Sequence, residues 1–207
     1  YDIRGIVGQT LHSQDAFYLG QAFAAMMQER KQHEICVGWD GRFSSVELME
    51  HLVAGLVQAG CHVTKITGPI PTPLLYFATH HLGIPNGIMV TGSHNPKNYN
   101  GFKMVLAGQT LTEDFIQQLY QRILVHAQQP IALDKEANYA GAVKAYNIID
   151  PYIDYVSQHI TLQKPLKIVI DAGNGAGGAV APQLYRRLGC EVVALYCEVD
   201  GDFPNHH

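Results

Sequence analysis

The hydrophobic residues of this chain follow two periodicities, one typical of helices and one typical of buried strands. From Asp15 to Arg30, apolar side chains recur at helical spacing, which predicts an amphipathic helix with one buried face. Apolar runs of strand length follow at Glu34 to Asp40 and at Cys61 to Thr67, and the segment between them returns to the helical period. This order of elements predicts a β-α-β unit whose two strands are parallel.

Capping residues predict where the next helices begin and end. Ser44 and Glu47 have the spacing of a capping box at the start of the second helix, which we expect to end at Gly60. Thr72 followed by Pro73 predicts the start of a third helix, with the threonine as its cap. The first part of the chain therefore reads as strands alternating with helices.

The same pattern returns near the end of the chain. Leu166 to Ala172 and Glu191 to Cys197 are strand-like runs, separated by a glycine-rich turn and a helix over Ala179 to Leu188. The stretch from Gln128 to Val143 has little periodicity, and we place a domain boundary at its end, with residues 1–143 in the first domain and 144–207 in the second. The predicted fold class is α/β, with helices on both faces of a sheet and part of a second, similar domain.

The segment from Gly87 to Leu106 carries the residues of clearest chemical character. Gly87–Thr91 reads as a short strand and Gly101–Leu106 as its return, with Ser93 in a loop of Gly, Ser, His, Asn and Pro between them. Folding the loop back brings the ammonium of Lys103 toward the serine hydroxyl, an arrangement that suits phosphoryl transfer. The alternative is an ordinary turn whose serine only caps it. A serine hydrolase is disfavoured because the G-x-S-x-G elbow is absent.

Composition narrows the classes of function. The 207 residues are 47% hydrophobic and 15% charged, as in ordinary globular proteins, and are long enough for one or two domains. A net charge of −4 without a Lys/Arg cluster argues against nucleic acid or a membrane surface as partner. The four cysteines lack C-x-x-C spacing, and together with the absence of a signal peptide or a membrane-spanning apolar run they predict reduced thiols in a cytoplasmic protein.

Four segments occur in a characteristic order along the chain. They are Tyr1-Asp2-Ile3-Arg4-Gly5, then Gly38-Trp39-Asp40-Gly41-Arg42 with Ser44-Ser45, then Thr-Gly-Ser-His-Asn-Pro followed by Asn-Gly-Phe-Lys103, and finally Asp171-Ala-Gly-Asn-Gly-Ala-Gly177. Together they resemble the N-terminal portion of the α-D-phosphohexomutases, the phosphomannomutase/phosphoglucomutase family. This resemblance implies a mixed sheet between helices in the first domain.

The resemblance also implies an activity. Members of this family interconvert hexose 6-phosphate and hexose 1-phosphate, of mannose or glucose, through a phosphoserine enzyme and a 1,6-bisphosphate. Ser93 would carry the phosphoryl group, and Mg²⁺ would bridge its phosphate and aspartates of the family's Asp-x-Asp-x-Asp-Arg loop. We expect that loop beyond residue 207, in a protein truncated within its second domain. The expected partner is a small sugar phosphate, and the expected assembly is a monomer or homodimer.

The family's site residues match further positions of this sequence. Lys103 would act as the general acid/base on the sugar hydroxyl, and Arg4 would lie beside it in the active site as a second cation. Contacts to the substrate are expected from three residues of lower rank: Tyr1, His94 and Asn95. A turn pairing of Asp40 with Arg42 is at least as good an interpretation of these two residues as a catalytic role.

An alternative function arises from the glycine turn at residues 173–178. It satisfies G-x-G-x-x-G between a strand and a helix, and Glu198 follows at the end of the next strand. This pattern is typical of dinucleotide-binding oxidoreductases. The alternative leaves the Ser93 segment unexplained, and the glycines are equally suited to close packing of a helix against a strand.

Overall fold

The computed structural model describes residues 3–128 and 142–205 as helices and strands joined by short loops. The helices are α1 (Ser13–Gln28), α2 (Phe43–Gln58), α3 (Thr72–His81), α4 (Glu113–Gln128), α5 (Ile149–His159) and α6 (Ala181–Arg187). The strands are β1 (Ile3–Ile6), β2 (Glu34–Trp39), β3 (His62–Ile66), β4 (Gly87–Val90), β5 (Tyr99–Leu106), β6 (Gln109–Thr110), β7 (Val143–Tyr146), β8 (Lys167–Asp171) and β9 (Glu191–Leu195). A 3-10 turn over Ala176–Ala179 precedes α6.

Seven strands form one mixed sheet. Its order is β1-β5-β4-β2-β3-β7, with β6 added alongside β5. Strands β2, β3, β4 and β7 are mutually parallel, whereas β1, β5 and β6 pair antiparallel to their neighbours. A second, two-stranded parallel sheet consists of β8 and β9. The predicted parallel pair β2-α2-β3 and the second unit β8-α6-β9 are therefore confirmed, and so is the mixed sheet.

Two hydrophobic cores occupy the two faces of the large sheet. Successive residues of a strand point to opposite faces, so Ile35 and Val37 of β2 pack under α1 and α2 while Cys36 between them packs under α3. In β4, Ile88 joins the first core and Met89 the second. The chain thus forms a helix–sheet–helix sandwich, with α1, α2 and α4 on one side and α3, α5 and α6 on the other.

Helices α1 and α2 approach each other at two glycines. A Cβ on Gly55 would lie 2.1 Å from the carbonyl oxygen of Phe17, and a Cβ on Gly20 would lie 2.5 Å from the carbonyl oxygen of Leu52. Both distances are far below van der Waals contact, so the two backbones meet only because neither glycine has a side chain.

The described residues of the predicted second domain, 144–205, are called the second unit below, and they pack directly against the first unit, residues 3–128. Strand β7 pairs in parallel with β3, so the large sheet extends to Tyr146, three residues beyond the predicted boundary at residue 143. Val180 and Ile153 join the core beneath α3. The assignment of residues 144–207 to a separate domain stays a prediction, and the apolar contacts hold the two units in one arrangement.

Two helix caps differ from the sequence-based expectation. Helix α2 begins at Phe43 with Arg42 in the cap position, so the predicted capping box of Ser44 and Glu47 is wrong. The hydroxyl of Ser44 instead accepts a hydrogen bond from Asn100, because a partner distant in sequence reaches it. Helix α3 likewise begins one residue earlier than expected, with Pro71 rather than Thr72 at its cap.

All four cysteines are free thiols. Burial raises the pKa of the Cys36 thiol to about 12 and that of Cys61 to about 11, because a thiolate loses its hydration in the core. Both are therefore protonated and poor nucleophiles at neutral pH. Within the described residues no helix has the length and apolar character needed to cross a bilayer.

The Gly55→Ala substitution is expected to lower the free energy of unfolding by about 1–2 kcal/mol. Overpacking of a well-filled contact typically costs about 1–3 kcal/mol, and here the clash is with backbone oxygen. Replacing glycine in a helix returns about 1 kcal/mol, which leaves a net loss. Urea unfolding measures the change. Gly177→Ala is the matched control, because a Cβ there meets no atom within 4 Å. Equal stability of the two variants would contradict the close approach of α1 and α2.

Candidate active site

The loop between β4 and β5 begins with a strained backbone. Ser93 adopts a φ of 52°, in the left-handed region that side chains seldom occupy. Its amide nitrogen donates to Oγ1 of Thr91 at 2.9 Å, and the Asn95 side-chain amide donates to the carbonyl oxygen of Gly92 at 2.9 Å. Such strain persists only where surrounding contacts hold the residue in place.

Asp40, directly after β2, is one source of those contacts. Its Oδ2 accepts from Oγ1 of Thr91 at 2.8 Å and from the amide of Gly92 at 3.2 Å. Its Oδ1 accepts from Oγ of Ser45 at 2.6 Å and from the amide of Arg42 at 3.1 Å. One carboxylate thereby joins the end of β2, the start of α2 and the first residues of the Ser93 loop.

Arg42 holds the remainder of the loop. Nη1 donates to the carbonyl oxygens of Pro96 at 2.6 Å and Tyr99 at 3.1 Å. Nη2 donates to those of Ser93 at 3.0 Å and Asn95 at 2.8 Å. The Arg42 side chain is only 4% exposed, and its Nε lies 3.3 Å from Oδ2 of Asp40. The loop is therefore wrapped around a buried guanidinium that the neighbouring carboxylate neutralises.

A cleft of about 440 Å³ opens beside this loop, at the carboxyl ends of β2 and β4. Ligands of open α/β sheets usually bind at that edge. Ser93 and Lys103, which the sequence placed together, both line the cleft, as does His94. The opposite wall comes from the second unit, where Gly175–Gly177 of the glycine turn and Phe203 face the loop.

Arg4 and Lys103 lie on the same face of the sheet. Arg4 pairs with Gly101 in the β1–β5 register, two residues before Lys103, and side chains two residues apart on a strand share a face. Phe102, between Gly101 and Lys103, packs in the core beneath α1 and α2. Both cationic side chains therefore point to the opposite face, where the cleft opens.

The three residues expected to contact the substrate lie in different positions relative to the cleft. His94 is exposed at the crown of the loop. Asn95 lines a groove on the outer side of the loop rather than the cleft, and its amide nitrogen is used within the loop by the carbonyl oxygen of Gly92. Tyr1 lies outside the described residues. The groove beside Asn95 is also lined by Ser93 and His94.

The described residues do not form a complete metal site. Among them no three His, Cys, Asp or Glu side chains are grouped so that they could hold an ion. Asp40, the carboxylate nearest the loop, already accepts hydrogen bonds at both oxygens. Mg²⁺ prefers about six oxygen ligands, so Ser93 alone does not fit the ion.

Sequence reasoning anticipated one part of this site and missed two others. Asp40 and Arg42 follow β2 at an edge where α/β sheets bind ligands, and both a turn pairing and a catalytic role were open for them. The glycine turn at Gly175–Gly177 faces the cleft as well as packing on its own sheet: a Cβ on Gly178 would lie 2.2 Å from the carbonyl oxygen of Cys197. For Phe203 no sequence signal existed.

Asp40→Asn is expected to lower the free energy of unfolding by about 3 kcal/mol, because it leaves the buried Arg42 cation without its counter-ion. Urea unfolding measures the change. Glu50→Gln serves as the control: its partner Lys65 and Glu50 itself are 29% and 54% exposed, and such pairs contribute about 1 kcal/mol or less. Similar small losses in both variants would mean that Asp40 does not hold the loop.

Comparison with known proteins agrees with this geometry. The family model for phosphoglucomutase/phosphomannomutase, alpha/beta/alpha domain I, matches residues 1–129, and the model for domain II matches residues 150–207. The comparisons give no support to the dinucleotide-binding alternative.

Individual relatives agree along the whole chain. It is 47% identical over 207 residues to a phosphomannomutase/phosphoglucomutase of Pseudomonas putida and 48% identical to a phosphoglucomutase of Neisseria gonorrhoeae. It spans 43% and 44% of the length of these relatives. A crystal structure of a phosphoglucomutase/phosphomannomutase family protein from Burkholderia thailandensis superposes with a TM-score of 0.88 at 42% identity, covering 100% of this chain and 45% of that one. The chain belongs to the phosphoglucomutase/phosphomannomutase family.

Proposed function

We propose that the protein containing this chain is a phosphohexomutase, which interconverts the 6-phosphate and 1-phosphate of mannose or glucose through a phosphoserine at Ser93. The observation that carries this proposal is the cleft, in which a serine on a rigidly held loop and a strand lysine share one wall. Its volume of about 440 Å³ is in the usual range for a small-molecule site.

The transfer step follows from the residues present. A hydroxyl oxygen of the sugar phosphate attacks the phosphorus on Ser93, a new P–O bond to the sugar forms, and the bond to the serine Oγ breaks. The hydroxyl proton passes to the amine of Lys103, which becomes an ammonium, while a proton from solvent reaches the departing serine Oγ, and the product is a sugar 1,6-bisphosphate. After the bisphosphate turns over, the reverse step returns its other phosphoryl group to Ser93, and Lys103 gives the proton back.

Charge and position are the principal contributions of this chain to the step. Phosphoryl transfer gains mainly from in-line positioning and from cations that neutralise the transferred group. Arg4 supplies a permanent positive charge on the face of the sheet where the cleft opens, and Lys103 becomes positive there as it takes the hydroxyl proton. His94 and Asn95, in the loop, and Tyr1 are proposed as contacts to the sugar phosphate.

The remaining assignments are proposals of the same kind. The metal is proposed to be Mg²⁺, held by the Ser93 phosphate together with ligands that the described residues do not supply. A cytoplasmic location fits four free thiols. The expected assembly is a monomer or homodimer, and the expected partner is the sugar phosphate alone.

Ser93→Ala is expected to reduce mutase activity about 10³-fold or more, because the phosphoryl group loses its carrier. A coupled assay for hexose 6-phosphate measures the rate, and peptide mass spectrometry locates phosphate on Ser93 in the unaltered protein. Ser157→Ala, on α5 outside the cleft, is the control. Full activity of the Ser93→Ala protein without added bisphosphate would refute the proposal.

Lys103→Met is expected to lower kcat about 10²-fold with KM little changed, the usual scale for a lost general acid/base. The Nζ atom is removed while most of the side-chain volume stays, so the fold is preserved. Lys65→Met is the matched control, since Lys65 is also a strand lysine but lies outside the cleft. A rise in KM with kcat unchanged would make Lys103 a binding residue instead.

A further inference from the structure

Besides Asp40, the Arg42 guanidinium has a neighbour from outside the loop. The ring of Phe203, in the second unit, covers it with Cζ 5.4 Å from the ring centroid, within the range of a cation–π contact. We infer that Phe203 is a positioning residue for phosphoryl transfer, which acts through Arg42 to hold the Ser93 backbone. This inference rests on the proposed function of Ser93.

Arg42 has no donor to spare for a phosphate. A guanidinium carries five N–H donors. Five acceptors surround this one: Oδ2 of Asp40 and the carbonyl oxygens of Ser93, Asn95, Pro96 and Tyr99. The contribution of Arg42 is therefore geometric, since its plane sets the direction of the Ser93 carbonyl. A group that fixes this plane also fixes the serine.

Phe203 is placed to fix that plane. Its amide donates to the carbonyl oxygen of Asp200 at 3.1 Å, and the amide of Asp202 donates to Oδ1 of Asp200 at 2.9 Å. The Phe203–Asp200 hydrogen bond closes a turn over residues 200–203. The amide of Asp200 donates to the carbonyl oxygen of Asn174, which links this turn to the glycine turn of the cleft. Phe203 itself has a φ of 49°, an unusual value for a bulky residue, so its ring is held at a backbone cost.

The turn of residues 200–203 and the preceding Val199 also lie in close contact with the residues at the start of α2. A Cβ on Gly41 would lie 2.2 Å from Cγ1 of Val199, and a Cβ on Gly201 would lie 2.9 Å from the carbonyl oxygen of Gly41. An exposed ion pair between Lys97 and Asp202, 3.2 Å apart, links the turn to the rim of the loop. The second unit thus reaches the loop by backbone packing on one side of Arg42 and by the ring on its face.

The two walls of the cleft are therefore coupled through Phe203 and Arg42. When the second unit shifts, the Phe203 ring moves relative to the guanidinium. Because Arg42 binds the carbonyl oxygens of the loop, the loop that carries Ser93 is then displaced. Because phosphoryl transfer depends on alignment, a small displacement of the loop lowers the rate of transfer more than the affinity for substrate.

The test compares Phe203→Leu with Phe203→Trp in the intact protein. Leucine removes the aromatic face and tryptophan keeps it, and both inherit the same backbone conformation. We expect Phe203→Leu to lower kcat, and the rate at which hexose 1,6-bisphosphate phosphorylates Ser93, about 10-fold or more, with KM within about 2-fold. We expect Phe203→Trp to stay within about 3-fold of the unaltered protein, since tryptophan gives the best cation–π partner.

The matched control is Phe115→Leu. Phe115 covers Arg30 with Cζ 5.5 Å from the ring centroid, far from the cleft, so the same exchange there should leave both rates unchanged. Phe203→Leu with normal rates, or with a raised KM and normal kcat, would overturn the inference. Equal losses in Phe203→Leu and Phe203→Trp would overturn it as well.

Hydrogen exchange separates this inference from the proposed function. If Ser93 of the unaltered protein accepts no phosphate, the proposed function fails, but the exchange of the amides at residues 92–95 still reports on the loop. Phe203→Leu is expected to accelerate that exchange, and Phe203→Trp is not. Unchanged exchange in Phe203→Leu would show that Phe203 does not position the loop, whatever the activity.

Discussion

The pairing of Asp40 with Arg42 is the interaction on which the site depends. Removing two charges from water is costly, and the cost is offset only when every donor and acceptor finds a partner. Here both oxygens of the carboxylate and all three nitrogens of the guanidinium are engaged. These partners are mainly backbone groups of the Ser93 loop, so satisfying the buried pair and shaping the loop are the same physical event.

The glycines around this pair let distant backbones approach. A Cβ on Gly92 would lie 2.4 Å from Cζ of Arg42, and one on Gly101 would lie 2.0 Å from the carbonyl oxygen of Ile3. Close approach brings β1, with Arg4, onto β5 and lets the loop close over the guanidinium. The positions of Arg4 and of the Ser93 loop thus depend on glycines that have no side chain at these contacts.

Prediction from sequence succeeded for elements and for the loop. Apolar periodicity indicated α1, the parallel pair of β2 and β3, and the second β-α-β unit, because core burial imposes that period on the residues themselves. Ser93 and Lys103 were brought together correctly, since a strand and its antiparallel return leave little freedom. Helix caps were less predictable. Ser44 and Glu47 have the spacing of a capping box, but the Ser44 hydroxyl accepts a hydrogen bond from the side chain of Asn100 instead.

By itself the sequence determined the α/β class, the order of the elements and the family, since these reside in local pattern and in short motifs. Only the tertiary structure decided that Arg42 faces four carbonyl groups of the loop, and that Phe203 covers it from the second unit. The physical reason is that a guanidinium bonds with whatever acceptors surround it. Every residue has a backbone carbonyl, so the sequence does not show which carbonyls will accept hydrogen bonds from Arg42. The partners are determined only when distant segments pack together.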